Sequence, residues 1–121
     1  MSVKPKMHAL WLFDVVDDKE TALTYFKTAI EKFPEHGMVP LTIGRFRAAQ
    51  KGDLAPRQYY VLGEWESEEA FKKFADNEAL AETHAQRENT MTRQIRHLFD
   101  GIFLLDPDFK FEDLERLVNN S

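Results

Sequence analysis

The segment His8-Ala9-Leu10-Trp11-Leu12-Phe13-Asp14-Val15-Val16 constrains this chain more than any other. Almost every position is apolar, and aliphatic, aromatic and β-branched types predominate. Such a run predicts a strand buried on both faces in the middle of a sheet. Asp17-Asp18 stop it. With Asp17 as N-cap, Glu20 falls at the third helical position, a capping-box-like start. Leu23, Phe26, Ile30 and Phe33 then follow at helical spacing and predict an amphipathic helix ended by Pro34 and Gly37.

The remaining elements follow in order. Met38–Ala48 predicts a second strand with Leu41, Ile43, Arg45 and Arg47 on one face. Pro40 cannot donate to a ladder, which places this strand at a sheet edge. Ala49–Pro56 is a polar turn region, and Arg57–Glu66 is a third strand paired with the second as a hairpin. Ser67 is a natural N-cap, and Glu68 and Glu69 sit where the helix dipole favours acids. Ala70, Phe71 and Phe74 give that helix an apolar face. Asp76-Asn77 is a break, with Asn77 capping a second segment that runs to about Arg93. Arg96–Leu105 is a fourth strand, with Asp100-Gly101 as a kink or bulge. After Asp106-Pro107, the residues Phe111, Leu114, Leu117 and Val118 predict a short terminal helix.

The order β-α-β-β-α-β is the split-βαβ, ferredoxin-like arrangement of the α+β class, a four-stranded antiparallel sheet with both helices on one face. We expect one domain over 1–121, its core at about 7–105 and a tail helix at 109–119. Two helices cover one sheet face, yet strands one and four read as apolar on both. The second face therefore needs a cover. A second copy of the same sheet, giving a two-fold homodimer, is the simplest; the tail helix is the competitor.

Composition narrows the class. Lys plus Arg number 16 against 21 Asp plus Glu, a formal charge of −5 with no basic block, which speaks against nucleic acid and against a polybasic membrane anchor. The longest apolar runs, such as Ile102–Leu105, are too short to span a bilayer. There is no Cys, which removes disulfides, thiolate catalysis and cysteine-based metal sites. The start of the chain lacks a signal-peptide core, so the expected location is cytoplasmic. No serine triad, paired-carboxylate spacing, phosphate-cradling glycine loop or dinucleotide fingerprint is present.

Trp65-Glu66-Ser67-Glu68-Glu69-Ala70-Phe71-Lys72-Lys73-Phe74, followed by Asn77 and His84, resembles the third-strand and second-helix signature of antibiotic-biosynthesis-monooxygenase-like proteins of the dimeric α/β-barrel superfamily. The element order extends the likeness over roughly residues 7 to 105. The resemblance implies a homodimer and a small-molecule pocket. It implies activities ranging from cofactor-free oxidation of quinones and polyketides to haem degradation, isomerase-like chemistry or none. The haem-degrading branch has a strand-end tryptophan, matched by Trp65, and an axial histidine, matched by His84. It also has a second tryptophan, where this chain has Phe74, and a first-strand asparagine, which His8–Val16 lacks. No cofactor is therefore expected.

Individual residues carry the functional expectation. His84 shares a helical stripe with Asn77, Leu80, Ala81 and Arg87, a half-polar stripe suited to the lip of a pocket. It is the candidate catalytic base, against the plainer alternative of a surface histidine in an ordinary hydrogen bond. Trp65, Phe74 and Trp11 are candidate ligand-binding residues, as is Arg87, which Glu82 or Glu88 could instead neutralise. Arg45 could orient an anion or simply be solvated at an edge. Glu64 is either a buried base or a partner of Arg45 or Arg57. Phe13, Tyr60 and Phe99 are expected in the core. His36 complements a helix end, and His8 and His97 lie near each other without metal-ligand spacing. Two functions remain open: a cofactor-independent monooxygenase acting on an aromatic or polyketide-like substrate, and a non-catalytic ligand-binding or structural dimer.

Overall fold

The computed structural model describes residues 3–16, 19–49, 51–52 and 56–120. Strand β1 (Lys6–Val15) lies inside a four-stranded sheet of order β2-β3-β1-β4, with β2 at Val39–Arg45, β3 at Tyr59–Trp65 and β4 at Met91–Gly101. All pairings are antiparallel. Pro40 is on the edge strand, where its missing N–H leaves no interior ladder incomplete. Between the strands run α1 (Lys19–Glu31), α2 (Glu68–Ala75) and α3 (Ala81–Thr90), with α4 (Phe111–Asn119) at the end. The sequence expectation of a ferredoxin-like split βαβ is met.

The caps explain where the second helical region begins and breaks. Ser67 Oγ accepts the Ala70 N–H at 3.1 Å, and Asn77 Oδ1 accepts the Ala79 N–H at 2.8 Å after α2 has stopped at Ala75. Gly37 adopts φ +96°, a left-handed turn that closes the short 3-10 segment Phe33–His36. The Asp17 N-cap expected for α1 lies outside the described residues, as does part of the Ala49–Pro56 turn.

Side-chain alternation gives the sheet two unlike faces. Ala9, Trp11 and Phe13 of β1, with Val61 and Trp65 of β3, lie buried beneath the helices. One residue over, His8, Leu10 and Leu12 pair with Glu64, Leu62 and Tyr60 on one side and with Phe99, His97 and Ile95 on the other. Among the described residues no helix covers that face, so Tyr60 is only partly buried and Phe99 is 40% exposed rather than in the core. The tail helix is fastened at one end of the sheet: the Val3 N–H donates to Asp113 Oδ2 at 3.3 Å, and Lys4, Pro5 and Asp100 share a cleft with Asp113 and Leu117.

Four further expectations are corrected. The buried stripe of α1 is Ala22, Tyr25 and Ala29, while Leu23 and Ile30 are exposed. Two alanines let the helix backbone approach the sheet closely, and that proximity outweighs the larger side chains of the neighbouring stripe. Strand β4 begins at Met91 and ends at Gly101, so Ile102–Leu105 is not a strand and Leu105 is 82% exposed. It is also an edge strand, not a doubly buried one. The irregularity falls opposite Leu12–Asp14, not at Asp100-Gly101. There Arg93 takes φ +49°, an unfavourable value for a side chain with a Cβ. An ion pair of Arg93 with Asp14 and the Arg57 Nε–H donated to the Arg93 carbonyl at 2.7 Å hold it.

Candidate functional site

Between the covered sheet face and the helices the core is not filled. It leaves a cavity of about 100 Å³ whose floor is Ala9, Val61 and Gly63. A Cβ on Gly63 would stand 2.3 Å from Met38 Cε, so glycine here lets Met38 reach across the floor. The apolar wall comes from the ends of two elements. Trp65 closes β3, and Ser67 sets α2 so that Phe71 and Phe74, three residues apart, both face it. Trp65 meets Phe71 at 4.9 Å and Phe74 at 5.3 Å, and Phe33 meets Phe74 at 5.0 Å, all edge to face.

The opposite wall is polar. Arg87 of α3 and Arg96 of β4 place their guanidinium carbons 4.3 and 4.6 Å from the Trp11 ring centroid, cation–π contacts on one indole. Register explains Arg96, since it lies directly opposite Trp11 in the β1–β4 ladder. Gln94 Oε1 fixes the indole by accepting its Nε1–H at 3.1 Å. Arg87 is paired with Glu88 at 3.2 Å, but that carboxylate is on the solvent side, 60% exposed. Burial holds the Arg96 guanidinium below its ordinary pKa, and the nearby Arg87 charge pushes the same way. Burial drives the Tyr25 phenol far above its usual range, so it stays a neutral donor. Trp65 Nε1–H, on the apolar wall, is the buried side-chain donor that has no acceptor among the described residues.

His84 joins the two walls. Its ring lies 5.5 Å from Phe74 and 6.5 Å from Phe33. Arg87 carries only donors, so its Nη1 contact at 3.5 Å assigns the lone pair to Nδ1, and Nε2–H then donates to the Phe74 carbonyl at 3.3 Å. Desolvation lowers the pKa of His84 below 6.5; the Phe74 carbonyl opposes this, while Arg87 and Arg96 reinforce it. The imidazole is therefore neutral near pH 7.

Of the residues singled out from the sequence, His84, Trp65, Phe74, Arg87 and Trp11 line this cavity together. Arg45 does not: it is exposed at the end of edge strand β2. Arg96 and Tyr25 were missed. A strand starting at Met91 would have exposed the Arg96–Trp11 pairing, and a stripe drawn through the alanines of α1 would have turned Tyr25 inward. Glu64 pairs with neither Arg45 nor Arg57; it takes His8 Nε2 at 3.1 Å and Lys6 Nζ at 3.5 Å on the open face. His8 stacks on Phe99 at 5.1 Å, while His97 is opposite Leu10. His36 accepts from Asn77 Nδ2 at 3.1 Å, so Asn77 is turned away from the cavity wall. Haem does not fit this site. A tetrapyrrole is several times larger than the cavity, and His84 Nε2 is engaged by a backbone carbonyl. Among the described residues no group of three or more His, Asp or Glu side chains is placed to hold a metal, and no helix is long and apolar enough to cross a membrane.

No protein-family model matches the chain, and no curated protein matches it in sequence. Solved structures do. A protein of unknown function from Rhodopseudomonas palustris superposes with a TM-score of 0.66 at 16% identity, covering 86% of this chain and 85% of the other. SnoaB, a cofactor-independent oxygenase from Streptomyces nogalater, gives 0.61 at 16% identity over 84% and 97%. A dimeric ferredoxin-like protein of unknown function from Thermobifida fusca gives 0.57 at 15% identity over 79% and 91%. At such identities the likeness is one of fold: this chain has the ferredoxin-like fold of these proteins.

Proposed function

We propose that this protein binds a small aromatic molecule in the cavity between its sheet and helices and oxidises it without a cofactor, as a homodimer of the antibiotic-biosynthesis-monooxygenase-like kind. The observation that carries this reading is the largely apolar cavity with a neutral His84 and two guanidiniums on one wall. The fold likeness to a cofactor-independent oxygenase supports it, and so does the dimeric neighbour, because the apolar face of Leu10, Leu12 and Leu62 lacks a cover among the described residues. At about 100 Å³ the cavity is of the order of an engineered one, roughly 150 Å³, that takes up benzene. A single ring is therefore the natural occupant, and the further rings of a polyketide would have to extend through the mouth.

In the chemistry we infer, an acidic O–H or C–H of the substrate displaces the long Arg87–His84 contact and presents its proton to Nδ1. Arg87 remains beside the anion that forms. That anion supplies the electrons for O₂; at a CH₂ centre one oxygen atom becomes the carbonyl and the other leaves as water. The aromatic wall of Trp65, Phe71 and Phe74 shields one side of the bound ring from water.

The test is oxygen uptake with a panel of single-ring phenols and hydroquinones. Uptake should rise with pH through the depressed His84 pKa, and His84→Ala should lower it about 10²–10⁴-fold with binding nearly unchanged. A protein that binds such rings yet consumes no oxygen would be a ligand-binding module, and the catalytic part of this reading would fail.

A further inference from the structure

The chain is acidic overall, at −5, yet among the described residues no carboxylate lines the cavity. Of the polar side-chain groups on its walls, the Arg87 and Arg96 guanidiniums and the Trp65 Nε1–H can only donate, the Tyr25 phenol can donate or accept, and His84 offers one lone pair. Arg87 has a partner in Glu88. Arg96 has neither a hydrogen bond nor an ion pair among the described residues: it lies over Trp11 with its outer side exposed, pushed by the Arg87 charge and drawn only at longer range by Glu88. Two guanidiniums side by side over one indole repel each other, and no carboxylate of the described residues stands between them in the cavity. An orphaned indole N–H on the facing wall adds a second unmet demand for an acceptor.

From these observations we infer that the cavity is a site for a single-ring aromatic carboxylate, whose carboxylate pairs with Arg96 beside Arg87 while its ring lies among Trp65, Phe71 and Phe74. This rests on the proposal that the cavity takes up a small aromatic molecule, and adds the charge of that molecule and the residue that selects it. A carboxylate satisfies what a neutral ring cannot: two acceptor oxygens match the planar fork of a guanidinium, and the negative charge relieves the Arg87–Arg96 repulsion. The size agrees, because about 100 Å³ leaves room for one ring with its substituent reaching the cationic wall.

The experiment compares benzoate with benzamide, its neutral isostere, by calorimetry and by quenching of tryptophan fluorescence, since Trp11 and Trp65 both line the site. The wild-type protein should bind benzoate about tenfold or more tightly than benzamide. Arg96→Gln should remove that preference by weakening benzoate about tenfold while leaving benzamide within about twofold, and Arg96→Lys should restore part of it. Equal binding of the two probes would overturn the inference and leave the aromatic cavity intact. Binding of neither would overturn both proposals. A loss of both probes in Arg96→Gln, with wild-type preference absent, would mark Arg96 as structural. Should Arg96→Gln fail to fold, the wild-type comparison of benzoate with benzamide decides alone.

Discussion

On β1, Ala9, Trp11 and Phe13 lie under the helices, while His8, Leu10 and Leu12, each one residue away, lie on the face that no helix covers. Both sets are rich in apolar side chains, but they are completed differently. The covered face is closed within the chain by Tyr25, Phe33, Phe74 and Leu80, and it still leaves a cavity with Arg87, Arg96 and His84 on its wall. The open face has nothing comparable above Leu10 and Leu62, and its polar cluster of Lys6, His8 and Glu64 is gathered at one end. Folding of the single chain is thus driven from one side of the sheet, and the proposed homodimer would form through the other. A single-chain core that keeps a cavity must be firm elsewhere, and Phe13, Phe33 and Val61 are essentially inaccessible.

The largest expected effect tests the side that drives folding. Phe13 is fully buried and packs against Tyr25, Phe26 and Tyr59. Phe13→Ala should destabilise the protein by about 3–5 kcal/mol, read as a lower urea midpoint with little change in slope. The same truncation at Leu12, on the other face, should affect the monomer much less. If both cost the same, the asymmetry between the faces is wrong.

A charge placed on the open face should separate association from folding. Leu62→Glu leaves the helices and their core untouched, so the far-ultraviolet spectrum should stay native. The mass in solution should fall from about twice 14.2 kDa to that of one chain. Its neighbour Val61, 2% exposed on the covered face, provides the contrast: Val61→Glu buries an unpaired carboxylate and should prevent folding. A stable wild-type monomer across micromolar dilution would instead leave the face to another cover.

A milder change sharpens what the cavity is for. Trp65→Phe removes an N–H that has no acceptor among the described residues, so it should leave stability within about 1 kcal/mol of wild type, apart from the smaller ring. If that N–H serves a ligand, benzoate binding should weaken about 3- to 10-fold, measured by titration. Unchanged binding with markedly lower stability would make the indole a packing residue alone.

How far the sequence disclosed these two faces depended on the kind of signal. The central strand, the Ser67 and Asn77 caps and the edge position of Pro40 are local, and each was legible because a few neighbouring residues decide it. Five of the six residues singled out from the sequence line the cavity, for a similar reason: the Trp65-to-His84 segment contains three of them at helical or strand-end spacing. Arg96, Tyr25 and the limits of β4 depend on long-range register and on how closely α1 approaches the sheet. Thr92, Arg93 and Gln94 read as too polar for a strand, yet an edge strand tolerates them, and the Arg93 irregularity hides the alternation. Conversely Ile102–Leu105 reads as strand from composition but has no ladder partner beyond Gly101.

The smallest effect concerns pH and belongs wholly to the covered face. His84 has its pKa lowered in the folded protein, chiefly because its ring is withdrawn from water between Phe33 and Phe74. Below about pH 6.5 the unfolded chain then holds more protons at this position than the folded one. Stability contributed by the neutral imidazole is accordingly present above about pH 6.5 and declines as pH falls through the lower, folded-state value. Asp14 and Asp113 also have lowered pKa values, through Arg93 for the first and the Lys110 N–H for the second, but their contributions decline only below their unfolded values near pH 3.8. The two windows are separate, so a urea midpoint followed from pH 7.5 to 5 isolates the histidine. His84→Gln, which keeps a polar side chain and removes the titration, should flatten that part of the curve while leaving the acid limb unchanged. An identical slope in the variant would mean that the imidazole is not held neutral by the cavity wall, and the base assigned to the covered face would have to be another group.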